Sequence, residues 1–70
     1  MLEVRSPMVG RVVRVLVEPG AAVQAEDELL VLESMKMEIP VEAPRPGTVR
    51  EVRVQVGDLV QENTVLLVLA

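Results

Sequence analysis

Apolar residues recur along this chain in short runs cut by turn-forming residues, and nowhere do they keep an i, i+3, i+4 spacing over three turns. That pattern predicts strands without helices. Leu2–Arg5 opens as a strand that Ser6-Pro7 breaks. Gly10–Val17 alternates, with Val12 and Val15–Val17 as its apolar members. Pro19-Gly20 fits the centre of a type II turn, proline pre-setting φ and glycine supplying φ > 0. Ala22–Gln24 is a brief extended piece, and Ala25–Asp27 a polar connection. Glu28–Glu33 carries the run Leu29-Leu30-Val31-Leu32, which predicts a strand buried on much of both faces. Beyond Met35-Lys36-Met37, Met37–Glu42 is extended and Pro44-Arg45-Pro46-Gly47 is a break. Thr48–Val54 alternates, Gly57-Asp58 turns, Leu59–Gln61 is a short strand, and Val65–Leu69 closes the chain.

The second half repeats the first at a constant offset of 37 residues. Val4, Pro7, Gly10, Val12, Val15, Val17, Gly20, Val23, Gln24 and Leu29–Leu32 recur as Val41, Pro44, Gly47, Val49, Val52, Val54, Gly57, Val60, Gln61 and Leu66–Leu69. Richness in valine and leucine does not by itself pair a proline, two glycines and a glutamine in phase, so the repeat is a duplication. Neither half is long enough to bury a core alone. The two halves must share one, most simply by interlocking about a pseudo-two-fold axis as two four-stranded antiparallel sheets. Lys36 then lies on the connection between the halves. The symmetry mate of that connection joins the end of the chain to its beginning, so both termini are expected together at the pole opposite Lys36.

Seventy residues form one domain, residues 1–70. Cysteine, histidine and every aromatic residue are absent. Disulfides, the usual zinc sites and Ser-His or Cys-His catalysis are thereby excluded, as are base-stacking platforms. A net charge of −4, with arginines interleaved among acidic residues, argues against a nucleic-acid partner. No apolar run reaches the ~18 residues of a membrane span. Glu3, Arg5, Arg11, Arg14 and Glu18 in the first 20 residues fit no signal peptide. The expected location is the cytoplasm or an organelle matrix. Gly10, Gly20, Gly47 and Gly57 sit in breaks as turn residues and form no phosphate cradle, and Glu26-Asp27-Glu28 is one polar loop.

Lys36 is the only lysine; the six other basic residues are arginines. It sits in Glu33-Ser34-Met35-Lys36-Met37-Glu38, where two apolar runs meet. A hairpin tip lifts such an amine into solvent, where it can enter a partner's active site. Without an aromatic or histidine neighbour it is poorly placed for Schiff-base catalysis and well placed as an acyl acceptor. Met35 and Met37 are flexible and polarisable, suited to contact with a series of partner surfaces, while Glu33 and Glu38 are expected in solvent. The plainer alternative is a solubilising turn whose methionines tuck into the core.

This motif, centred between two in-phase β repeats, resembles the attachment site of biotinyl domains, the biotin carboxyl carrier family. The resemblance covers the whole chain, including the breaks at Pro44 and Gly47 and the closing Val65–Leu69 segment. It implies the "hammerhead" fold, a flattened β-barrel of two four-stranded sheets. It also implies that a biotin protein ligase attaches biotin to Lys36. The flanking Met35 and Met37 would be recognised, with Glu33, Ser34 and Glu38 as the tip's setting. The domain would then carry carboxyl groups between biotin carboxylase and carboxyltransferase sites and perform no catalysis itself. Two features depart from the commoner pattern. Ser34 stands where alanine is usual, and the tight turn between Val17 and Val23 leaves no room for the protruding thumb of some acetyl-CoA carboxylase carriers. A lipoyl carrier of a 2-oxoacid dehydrogenase complex shares the fold but usually has Asp-Lys-Ala at the tip. An unmodified hammerhead interaction module would usually flank a coiled coil, and no heptads occur here. An autonomous enzyme is the role this composition supports least.

Overall fold

Repetition in the sequence becomes interlocking in space. A computed structural model describes residues 1–70 and contains eight strands and no helix. They are β1 (Leu2–Arg5), β2 (Gly10–Val15), β3 (Ala22–Val23), β4 (Glu28–Ser34), β5 (Met37–Glu42), β6 (Gly47–Val52), β7 (Leu59–Val60) and β8 (Val65–Leu69). One antiparallel sheet has the order β1-β8-β6-β3 and the other β5-β4-β2-β7. Each sheet takes two strands from each half, so neither half forms a sheet of its own. The central pairs of both sheets are long-range: β8 lies between β1 and β6, and β4 between β5 and β2.

The core follows the same period. Its thirteen buried residues include six repeat pairs: Val4/Val41, Val12/Val49, Val23/Val60, Leu29/Leu66, Leu30/Leu67 and Leu32/Leu69. The thirteenth, Ala43, is the repeat mate of Ser6, which is equally buried. Fully burying each leucine contributes about 1.5–3 kcal/mol, and half of the buried leucines come from each repeat. Val31 and Val68 face outward yet are also buried, as the doubly apolar run predicts. Arg14 and Pro40 flank Val31 across the sheet, and the arginine stem covers apolar surface while its head stays wet.

Backbone pairs close both open edges between the sheets, and the two-fold repeats them. The Glu26 N–H donates to the Ala43 carbonyl and the Ala43 N–H to the Asp27 carbonyl, both at 2.8 Å. At the mate positions the Asn63 N–H donates to Ser6 and the Ser6 N–H to Thr64, again at 2.8 Å. Strand edges that would otherwise present unpaired groups are thereby occupied. Ser6 adds a hydroxyl that donates to the Met8 carbonyl at 2.6 Å, fixing the start of the β1–β2 loop.

Two expected strands are shorter than predicted. β2 ends at Val15 and β6 at Val52, although Val17 and Val54 still pack on the core. A β-bulge interrupts each strand, between Val12 and Arg14 and between Val49 and Glu51. Past the bulge the chain must cross to the opposite sheet, where Gly20 N–H meets the Val49 carbonyl at 2.8 Å. Regular pairing cannot continue through that corner. Ala22–Gln24 and Leu59–Gln61 likewise shorten to two residues each, and β4 extends one residue further, to Ser34. The turn at Pro19-Gly20 forms as predicted, with Gly20 at φ 94° and an Ala21-to-Glu18 hydrogen bond of 3.1 Å.

The molecule measures 30 × 18 × 17 Å, and its two poles differ. Leu2 pairs with Leu69, so the termini are adjacent. From Met37, β5 runs away from the tip to Glu42; five residues later Gly47 lies against the Ala70 carbonyl. The termini therefore occupy the pole opposite Lys36, as expected from the repeat.

The four-residue loops at 24–27 and 61–64 place Glu26 and Asn63 at φ 73° and 70°. Asparagine adopts this left-handed conformation at less cost than glutamate, by roughly 0.5–1 kcal/mol. Copying the second repeat into the first, Glu26→Asn, is expected to raise stability by about that amount in urea unfolding at unchanged m-value.

Candidate functional site

The tip is the hairpin between β4 and β5. Ser34 pairs with Met37, leaving Met35 and Lys36 as a two-residue connection. Both have positive φ, 53° and 66°, the pattern of a type I′ turn, whose twist matches that of the flanking strands. Asn-Gly is the residue pair such a turn favours. Met-Lys holds it at a strain of order 1–2 kcal/mol per residue, so the six-pair ladder of β4 with β5 must impose it.

This backbone turns the side chains outward. Lys36 is exposed and forms none of the molecule's three ion pairs. Met35 is 92% exposed and Met37 66% exposed, so the alternative with methionines in the core is excluded. Ser34 is half-buried at the base of the turn.

Below the tip, Glu33 and Glu38 stand directly opposite one another. Like charges so placed repel. Both carboxylates are exposed, as the sequence suggested, and Arg14, projecting from β2, reaches across β4 and donates to Glu38 Oε1 at 2.8 Å. Both partners are about half exposed, so the bridge is worth well under 1 kcal/mol. Its effect is directional: it engages Glu38 alone, while Glu33 forms no ion pair and has Arg11 as its cross-strand neighbour on β2. Gly10 is the other feature the sequence disguised. It reads as a turn glycine, but it opens β2, and a Cβ there would lie 3.0 Å from the Glu33 carbonyl oxygen and 3.5 Å from Leu32 Cβ. Only a glycine allows β2 to approach β4 so closely beneath the hairpin. Its in-phase recurrence with Gly47, where a Cβ would lie 2.9 Å from the Ala70 carbonyl, was the available signal.

No concavity adjoins Lys36. One groove of about 510 Å³ lies over Val68 on the outer face of the other sheet, lined by Met1, Glu3, Arg5, Arg50, Glu51 and Arg53. A second, of about 350 Å³, is formed by Val15–Glu18 and Ala21. No cluster of three potential metal ligands exists. An exposed, unpaired primary amine on a rigid turn, with no pocket beside it, can accept a group and present it elsewhere.

Comparison with known proteins agrees with this geometry. The family model described as "Biotin-requiring enzyme" matches residues 2–69. The chain is 46% identical over 63 residues to the biotin/lipoyl attachment protein of Bacillus subtilis, covering 90% of this chain and 86% of that one. It is 43% identical over 68 residues to a "Biotinylated protein TB7.3 homolog" of Mycobacterium leprae, covering 97% and 96%. Among solved structures, the urea carboxylase of Kluyveromyces lactis superposes with a TM-score of 0.93 at 28% identity, over 99% of this chain and 6% of that much longer one.

Gly10→Ala is expected to destabilise the domain by about 1–3 kcal/mol, because the Glu33 carbonyl must move to admit the methyl group. The amide shifts of Glu33 to Glu38 should report the displacement. Met35→Asn, which suits the left-handed turn, is expected to stabilise by roughly 0.5–1 kcal/mol in urea titration.

Proposed function

Because the chain belongs to the biotin-requiring enzyme family of biotin/lipoyl attachment domains, we propose that it is a biotin carboxyl carrier, modified on Lys36, that serves a biotin-dependent carboxylase. The observation that carries this is the placement of the only lysine at the exposed apex of the β4–β5 hairpin.

Residue by residue, the tip fits a covalently attached group. The Lys36 amine is free of ion pairs, so forming an amide breaks no internal contact. The positive-φ turn holds the lysine Cα in one place while the four-carbon stem remains mobile, which suits insertion into a ligase site. Met35 and Met37 offer apolar surface on either side of the acceptor for a ligase to recognise. Glu33, Ser34 and Glu38 form the frame below it. Biotin held there would supply a ureido nitrogen able to take up and release a carboxyl group. The chain's own part is mechanical. Anchored at the opposite pole, or docked, the domain raises the arm's effective concentration at a biotin carboxylase site and then at a carboxyltransferase site. Its partners on this reading are those two sites and a biotin protein ligase; it does no chemistry itself and acts in the cytoplasm or an organelle matrix.

A lipoyl carrier is the second reading, favoured by the double name of the Bacillus subtilis relative. Paired methionines at the tip support biotin over lipoate.

Incubation with biotin, ATP and a biotin protein ligase is expected to add one biotinyl group by intact mass, and none to Lys36→Arg. Because no other lysine is present, any gain on that variant disproves the assignment. Parallel incubation with lipoate and a lipoate ligase should leave the mass unchanged; lipoyl addition at a comparable rate would select the second reading.

A further inference from the structure

Oxidation chemistry on this chain has few places to go. There is no cysteine, histidine, tryptophan or tyrosine, so the four methionine thioethers are its only readily oxidised side chains. They are not equally accessible. Met35 is 92% exposed and Met37 66% exposed, on the two sides of Lys36, while Met8 is half-buried. Met1 is 81% exposed but lies at the opposite pole.

We propose that Met35 and Met37 are a reversible oxidation site that switches the acceptor competence of Lys36. The proposal rests on the carrier reading for its consequence, and on exposure alone for its location. In the modifying step a thioether sulfur lone pair attacks one oxygen of hydrogen peroxide. The O–O bond breaks, an S–O bond forms, and water leaves after proton transfer. Sulfur loses two electrons and peroxide gains them. A dithiol reductant reverses the step, taking the oxygen away as water and becoming a disulfide, as methionine sulfoxide reductases do.

The consequence follows from the positions of the two residues. Both are sequence neighbours of Lys36, so any enzyme surface that grips the amine must also cover them. A thioether desolvates readily and adapts its shape. A sulfoxide brings a strong dipole and a stereocentre, and burying it without a partner is penalised. The turn makes this hard to escape. With φ of Met35 and Lys36 set at 53° and 66° by the ladder beneath, the Met35 Cα stays fixed beside that of Lys36. The core itself offers nothing to oxidise, because it holds only Val, Leu and Ala.

The test uses the whole chain, hydrogen peroxide, and a biotin protein ligase with biotin and ATP. Peptide mapping by mass spectrometry is expected to show sulfoxide at Met1, Met35 and Met37 well before Met8. Oxidised protein should be biotinylated roughly tenfold or more slowly than untreated protein. Treatment with both methionine sulfoxide reductases before the assay should restore the rate. In Met35→Leu/Met37→Leu, whatever its own rate, the ratio of oxidised to untreated should be one, even though Met1 is oxidised. Met8 oxidised as fast as Met35 would overturn the assigned site. Equal rates for oxidised and untreated wild type, or a persistent slowing in the double variant, would overturn the switch alone. Untreated protein that takes up no biotin would overturn the carrier reading, and the switch with it.

Discussion

Everything in this molecule depends on two half-length chains that cannot bury their leucines separately. The runs Leu29–Leu32 and Leu66–Leu69 form the central strands β4 and β8, one in each sheet. Each is flanked by one strand from its own half and one from the other, or by partners that enclose it from both sides of the sequence. A core made of repeat pairs leaves little room for partial folding, because removing either half exposes the apolar face of the other. A 70-residue chain with no disulfide and no metal site can still hold one fixed shape on that basis.

The shared core also supplies rigidity where the site needs it. The pairing of β4 with β5 holds two non-glycine residues in the left-handed region. Strain of this kind persists only where surrounding structure over-determines it. Gly10 permits β2 to brace β4 just beneath the turn, and Arg14 ties β2 to β5 across it. A fixed base and a mobile four-carbon stem divide the labour: the backbone defines where the amine starts, and rotamer freedom lets it reach.

Pseudo-symmetry gives the domain two unlike poles. Where the first half ends, the chain continues through the tip into the second. Where the second half ends, the symmetry-equivalent position is the pair of termini, Leu2 beside Leu69. The lone lysine at one end and the paired termini at the other follow from a single duplication. Breaks in the symmetry are equally informative. Glu26 occupies a left-handed position where its mate is Asn63, and Ser6 fixes a loop whose mate begins at Ala43.

Strand existence, the duplicated core, the antipodal termini and the location of Lys36 at an apex were legible from the sequence, because each follows from periodicity and from counting along one chain. The 2-residue alternation, the offset of 37 and the type II turn at Pro19-Gly20 are local or additive signals. The bulges within β2 and β6, the close approach at Gly10, and the bridge from Arg14 to Glu38 were decided only by tertiary structure. Each depends on which strand lies beside which, and at what register. Residues 24 apart acquire a relationship through a third strand between them, and no pattern along the chain encodes that distance.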